Sequence, residues 1–326
     1  MLDKDLKARL LRLIGPVEIT STELVQSLWS GYGQILRIKL KSSEYESLIV
    51  KHVNPPNNKN HPRGWNSDIS HQRKLKSYRV ESSWYKNFSE LCPKMAPVPK
   101  LIACEQNDDD FLIILEDMDA IGFPKRLNTI NQTSLEVCLT WLAHFHAKFL
   151  QNNSTGLWES GSYWHLETRP DELEVLDDLP LKKAAKAIDH KLKSSPYQTI
   201  IHGDAKLANF CFSPDASRVA AVDFQYVGHG CGMKDLAYFV GSCLNEEDCE
   251  SMEKEILNFY FYELRKACTL YQKDVDLNEL KNNWRELYHY AWADFHRFLK
   301  GWSPGHWKIN SYSERICRQV IQELNS

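Results

Sequence analysis

The sequence has no C-x-x-C pair, no apolar run long enough to cross a bilayer, no internal repeat and no marked excess of either charge. Each absence removes a class of function. The nine cysteines, at 92, 104, 138, 211, 231, 243, 249, 268 and 317, are scattered and odd in number, which argues against a disulfide framework and against a zinc site. Reduced, buried thiols are the expectation. The longest apolar runs, such as Phe111-Leu112-Ile113-Ile114-Leu115, are strand-sized, so no membrane span is expected. With 40 Lys and Arg against 43 Asp and Glu, the net charge is -3, and no global positive field would recruit nucleic acid or anionic lipid. Charges interrupt the leucines of Met1-Leu2-Asp3-Lys4-Asp5-Leu6-Lys7, which leaves no signal-peptide core and points to a cytoplasmic location. What remains is a chain of 326 residues, 43% hydrophobic and 25% charged, large enough for two core-bearing lobes.

Hydrophobic periodicity divides the chain. Residues 4–14 and 21–29 read as short helices, the second opening at Ser21 or Thr22 as a cap with Glu23 in its first turn. Ile35 to Lys41 alternates apolar and basic, as a half-buried strand does. A polar turn through Ser42-Ser43-Glu44 leads to a second strand over 48–53, then a loop over 54–72 rich in Asn, Pro and His. A helix is predicted from about 73 to 91, with Tyr78, Trp84, Tyr85, Phe88 and Leu91 as its inward stripe, followed by strands at 100–105 and 111–116. After Met118 the pattern turns helical: 135–150, a Trp- and Asp-containing stretch at 153–180, 181–194, and most of 233–326. A short strand at 199–201 and a hairpin of 209–213 and 218–224 interrupt it. The expectation is an α+β, bilobal fold. A small antiparallel sheet with one long helix (1–117) would join a larger, mainly helical lobe (118–326), with the chemistry between them.

The most informative stretch is Ile200-Ile201-His202-Gly203-Asp204-Ala205-Lys206-Leu207-Ala208-Asn209-Phe210, followed by Val222-Asp223-Phe224-Gln225. It supplies an acid on a loop, an amide five residues on, and a second acid at the end of the next apolar strand. Phosphoryl transfer from a nucleotide needs such a set: a carboxylate to orient and deprotonate a hydroxyl, and oxygen ligands to hold magnesium on the phosphates. The spacing His-x-Asp-x-x-x-x-Asn followed by Asp-Phe is that of a kinase catalytic loop and metal loop. Asp204 is thus the candidate base, Asn209 and Asp223 the candidate metal ligands, and Lys206 a point charge for the transferring group. His202 is read as fixing the loop through backbone contacts.

Lys51 shares a strand face with Ile49 and Val53, so a cation stands where an apolar residue is expected. It needs a partner, and Glu81 falls inside the inward arc of the 73–91 helix. Such a pair would present the ammonium to nucleotide phosphates. Ser30-Gly31-Tyr32-Gly33-Gln34, ahead of the first strand, could bring backbone amides to phosphates through Gly31 and Gly33. Leu115-Glu116-Asp117-Met118 ends the last strand of the small lobe, where the backbone of Glu116 and Met118 could meet adenine. His146, on an apolar helix face with Leu139, Leu142 and Phe149, reads as a satisfied core histidine.

Taken together these residues resemble the aminoglycoside phosphotransferase and choline kinase superfamily, which shares the protein-kinase-like fold, and within it the ecdysteroid-kinase-like branch. The resemblance runs from the glycine turn through Lys51, Glu81, residues 115–118, the His202–Asn209 loop and Asp223-Phe224-Gln225. It continues to Lys234-Asp235-Leu236-Ala237-Tyr238 and His296-Arg297-Phe298. It implies ATP and Mg2+ as cofactors, Asp204 as base, Asn209 and Asp223 on the metal and Lys51 on the phosphates. Asp235 is similar to the family's structural aspartate that braces the catalytic loop. Gln225 departs from the glycine that protein kinases carry there, and Lys206 is a protein-kinase-like choice in a small-molecule motif.

Asp235 follows Asp223 closely, with Gly228, Gly230 and Gly232 between them. A long activation segment and an Ala-Pro-Glu motif, which would carry a peptide substrate, are absent. A small hydroxylated acceptor is therefore expected. Trp284, Trp292, Trp302, Trp307 and Tyr312 could cage a quaternary ammonium, cover a flat apolar skeleton, or simply be core. The competing readings are a nucleotide-binding pseudokinase or scaffold, and a metallophosphatase; the latter needs further His and Asp ligand motifs that the sequence does not supply.

Overall fold

The alternation of Ile35 to Lys41 is realised as a half-buried strand in the computed structural model, which describes residues 2–28, 31–41, 43–55 and 67–326. Five antiparallel strands form one sheet in the order β1-β2-β3-β5-β4: β1 (Glu18–Ser27), β2 (Gly33–Lys41), β3 (Ser47–Val53), β4 (Leu101–Asn107) and β5 (Asp110–Glu116). Period-two patterning splits their side chains between two faces. Leu36, Ile38, Leu48, Val50, Leu112 and Ile114 pack under helix α1 (Lys4–Ile14), which offers Leu6 and Leu10. Val53, Phe111, Ile113 and Leu115 point the other way, toward helix α2 (Ser67–Asn87). Lys51 belongs to that second face, so the sheet's own geometry delivers an ammonium into the space beneath α2.

Two boundaries differ from the sequence reading. Residues 21–29 are not a helix: Glu18–Ser27 is the edge strand β1, paired with β2 from Glu18 opposite Lys41 to Ser27 opposite Gln34. The β-branched Ile19, Thr20 and Thr22 suit a strand, and pairing with β2 overrides the local cap signature of Ser21 and Glu23. Helix α2 begins at Ser67, six residues early, and ends at Asn87, followed by a 3-10 turn at Ser89–Leu91. Leu91 is accordingly exposed and not part of the inward stripe. Ser30, Ser42 and residues 56–66 of the 54–72 loop lie outside the described residues.

The remainder is mainly helical: α3 (Gln132–Phe149), α4 (Pro170–Glu174), α5 (Leu179–Lys193), α6 (Met233–Cys243), α7 (Glu246–Leu270), α8 (Leu277–Trp302) and α9 (Ser311–Leu324). Set against α3 are the short strand β6 (Thr199–Ile201) and the hairpin β7 (Phe210–Phe212) and β8 (Val219–Ala221). The sequence reading missed β9 (Gly228–Gly230), which pairs antiparallel with β6. Its glycines look like a loop but are required by packing, since a Cβ on Gly228 would lie 2.3 Å from the Trp158 carbonyl. Trp84 of α2 stacks on Phe224 at 4.6 Å and meets Phe145 and Phe149 of α3. That aromatic cluster ties α2 to the residue that follows Asp223.

Candidate active site

The loop after β6 is built from its backbone outward. Gly203 has φ +79°, and a Cβ there would lie 2.0 Å from the Tyr226 carbonyl, so only glycine fits. The Asp235 carboxylate, in the first turn of α6, accepts the His202 N–H at 2.6 Å and the Gly203 N–H at 2.9 Å. His146, fully buried, holds that carboxylate at 3.1 Å through Nε2 and meets the Tyr260 hydroxyl at 2.7 Å through Nδ1. This satisfied core histidine fixes the aspartate that in turn fixes the loop. His202 Nδ1 accepts from the Asp204 N–H at 3.2 Å, which leaves Nε2 to donate to the Val222 carbonyl at 3.0 Å. The imidazole thus ties the Asp204 loop to the strand end that carries Asp223.

Asp204 lies only 6% exposed. Its Oδ2 accepts from Lys206 Nζ at 3.0 Å and from Asn209 Nδ2 at 3.0 Å, whereas Oδ1 is buried without a partner among the described residues. Burial pushes this carboxyl above its ordinary value, with Lys206 opposing and Asp223 adding to the rise. Asn209 also donates to the Asp204 carbonyl at 2.8 Å, so its amide nitrogen is spent and its Oδ1 is left over. The Asn209 carbonyl accepts from Val222 N at 3.0 Å, which makes Asn209 and Asp223 neighbours across the hairpin.

Asp223 adopts φ +70°, an uncommon conformation for a non-glycine residue and the kind of backbone strain that collects at functional sites. Its side chain keeps 36% of its surface open. Burial pushes its carboxyl up, but Lys51 and Lys206 outweigh that, so it lies below its ordinary value and is ionised at neutral pH. An unspent amide oxygen beside an ionised, partly open carboxylate is a donor set that fits a hard divalent cation completing its shell with water and phosphate oxygens. Gln225 reaches the other way, its Oε1 accepting from Ser77 Oγ of α2 at 3.4 Å.

Lys51, 4% exposed, brings the two halves together. Its Nζ lies 2.7 Å from Glu81 Oε2 and 3.4 Å from Asp223 Oδ1. Burial opposes its charge, yet Glu81 and Asp223 together hold the ammonium above its ordinary value. Burial raises the Glu81 carboxyl, with Lys51 opposing. Gly31 and Gly33 turn between β1 and β2, with φ +72° and +138°, and a Cβ on Gly33 would lie 2.0 Å from the His52 carbonyl. Glu116 spends its N–H on the Lys100 carbonyl at 3.0 Å. Met118 accepts from Phe123 N at 2.9 Å, while its own N–H donates to no described group. Asp117 between them is anchored by Arg37 Nε and Ser47 Oγ, each at 2.6 Å.

Sequence reasoning missed Lys74. It stands on α2 seven residues before Glu81, on the face shared with Tyr78, and its Nζ lies 5.9 Å from the Tyr32 ring of the glycine turn. Burial pushes it down to about 8, with Asp223 opposing and Lys51 adding to the fall. The inward stripe contains the signal, but its apolar members begin only at Tyr78, one turn after Lys74. Of the late aromatics, Trp284, Trp292 and Tyr312 are core residues, whereas Trp307 is exposed.

Residues 161–322 match the model of the ecdysteroid kinase-like family, a span that includes the catalytic loop, Asp223 and Asp235 but neither Lys51 nor Glu81. An amicoumacin kinase, solved with AMP-PNP, Ca2+ and its ligand, is 14% identical, with 99% of this chain and 93% of that one covered and a TM-score of 0.52. A microcompartment-associated aminopropanol kinase is 13% identical over 99% of this chain and 98% of its own, also at 0.52. At those identities the likeness is one of fold. No curated protein sequence matches the chain.

Proposed function

We propose that this chain, whose residues 161–322 match the ecdysteroid kinase-like family model, moves the γ-phosphoryl group of ATP, with Mg2+, to a hydroxyl of a small molecule. The observation that carries this reading is Lys51, held between Glu81 at 2.7 Å and Asp223 at 3.4 Å, facing the loop of Asp204 and Asn209. An ion pair from one half of the chain and a carboxylate from the other meet where a triphosphate would lie.

In this reading residues 1–117 form the nucleotide-binding lobe and 118–326 the catalytic and acceptor lobe. The Met118 N–H and the Glu116 carbonyl face the adenine, and the Gly31–Gly33 turn covers the phosphates. Lys51 holds the α- and β-phosphates, and Lys74 adds a second ammonium from α2. Asn209, through Oδ1, and Asp223 would hold the metal, which when bound would neutralise negative charge on the phosphates. Asp204 accepts the acceptor's hydroxyl proton at Oδ1 as the oxygen attacks the γ-phosphorus and the bond to the β–γ bridging oxygen breaks, releasing ADP. Its raised affinity for a proton suits it to that role, and such a base contributes roughly 10²–10⁴ in rate. Lys206, bonded to Asp204 Oδ2, orients the base and stands ready for charge on the transferring group.

The test is an ADP-release assay with Mg-ATP against hydroxylated metabolites: sugars, sterols, aminoglycosides and choline analogues. A phosphorylated product formed in equal amount to ADP supports the reading. Saturable Mg-ATP binding with no turnover on any acceptor would favour a nucleotide-binding scaffold.

A further inference from the structure

The connection between α8 and α9 carries Lys308 back toward the catalytic loop. Its Nζ lies 4.9 Å from the centroid of the Tyr238 ring and 5.5 Å from those of both Phe295 and Trp307. Three aromatic faces within about 6 Å of one ammonium are the arrangement that proteins use to bind cationic ligands. The main chain pins the residue: the Lys308 N–H donates to His306 Nδ1 at 3.2 Å, and its carbonyl accepts from Ser313 Oγ at 3.2 Å. Among the described residues no carboxylate lies at ion-pair distance from Lys308 Nζ, so the rings are its main partners. Burial pushes the amine down to about 8, with Asp204 opposing.

The cage adjoins the proposed base. Tyr238 lies five residues after the start of α6 and packs edge-on against Tyr163 at 5.5 Å, and the Tyr163 N–H donates to the Gly203 carbonyl at 3.2 Å, next to Asp204. A cationic acceptor entering there would meet an aromatic site already filled by a like charge. An acceptor oxygen would meet an ammonium with unspent N–H donors.

Resting on the phosphotransferase reading above, we propose that Lys308 is a specificity-determining residue of the acceptor site: it fills the Tyr238, Phe295 and Trp307 cage with the chain's own cation, so the acceptor is an uncharged or anionic hydroxyl compound that presents an oxygen to it. Quaternary ammonium alcohols and polycationic aminoglycosides are excluded on charge.

Tetramethylammonium is the probe, titrated calorimetrically into the full chain and into Lys308→Ala, with Lys308→Ser in its place should the alanine variant not fold. The unaltered protein should show no saturable binding in the millimolar range. The vacated cage should gain affinity on the order of tenfold or more, and Trp307→Ala, at an exposed residue, should remove that gain when combined with it. Equal binding to both proteins, no gain on vacating the cage, or a gain that survives loss of Trp307 would each overturn the proposal. A separate Mg-ATP titration of the unaltered protein distinguishes the two levels: its failure would count against phosphotransfer and leave the cage result standing.

Discussion

Asp204 and Lys74 make opposite demands on an experiment. Asp204 has one oxygen engaged by Lys206 and Asn209 and one buried oxygen without a partner among the described residues. Replacing it with Asn preserves shape but removes proton acceptance, so Asp204→Asn should lower kcat by roughly 10²–10⁴ while Mg-ATP affinity stays within about twofold. Steady-state kinetics beside a binding titration would check this, and an equally active variant would remove Asp204 as base. Lys74 should behave the other way. Lys74→Ala should raise the KM for ATP about tenfold, with a smaller effect on kcat, because a point charge on phosphates acts in binding. An unchanged KM would place Lys74 outside the phosphate site. His202, Asp235 and His146 hold the loop in place; His202 was read from its motif, Asp235 through the family resemblance, and His146 as a satisfied core histidine. Lys74 was harder to see because nothing in its neighbours distinguishes a cleft lysine from a solvated one; only the register of α2 does.

Elements differ in how openly the sequence declares them. Strand β2 alternates apolar and basic residues, while β3 and β5 carry short apolar runs because one face packs on α1 and the other on α2, and all three were legible. Strand β1 was not. It is an edge strand whose residues are mostly exposed, so it carries no burial pattern, and pairing with β2 decided its conformation. Trp284, Trp292 and Tyr312 could be cage or core from sequence alone, and helix packing made them core. At the start of α5, Asp178 caps the helix through Leu181 N at 3.2 Å and is held by Lys300 of α8 at 2.8 Å and by Arg318 of α9. Burial alone would raise its carboxyl, but Arg318 and Lys300 outweigh that and depress it below 3.8. A depressed carboxylate contributes stability that is fully present above its unfolded value and is lost as pH falls through its folded one. Asp178→Asn should therefore cost about 2 kcal/mol at pH 7, and the difference from the unaltered protein should shrink below about pH 4. Urea unfolding at pH 7 and pH 3 checks this; a difference that stays constant across that range would contradict the assignment.

At the scale of the whole molecule, the proposed function depends on bringing residues 51 and 81 to residues 204, 209 and 223. The Trp84 stack on Phe224 supports that meeting, because it sets α2 against the segment after Asp223. Trp84→Ala should lower stability by about 3–5 kcal/mol, the usual range for emptying a buried Trp site, and denaturant unfolding with and without Mg-ATP would measure it. Ligand should recover less stability in the variant than in the unaltered chain, since Lys51 and Asp223 would no longer be held in register; equal recovery would show that the stack does not position them. The loops that carry Asp204, Asn209 and Asp223 were legible in the sequence because each is a short local motif. The closure of the site was not, because it depends on a contact between residues 172 positions apart. The most direct test is calorimetric titration of ATP into the unaltered protein and into Asp223→Ala, each with and without Mg2+. The account predicts saturable binding that needs the metal and is lost in the variant. Binding equally tight without Mg2+ and in Asp223→Ala, or no binding of Mg-ATP to the unaltered chain, would contradict it.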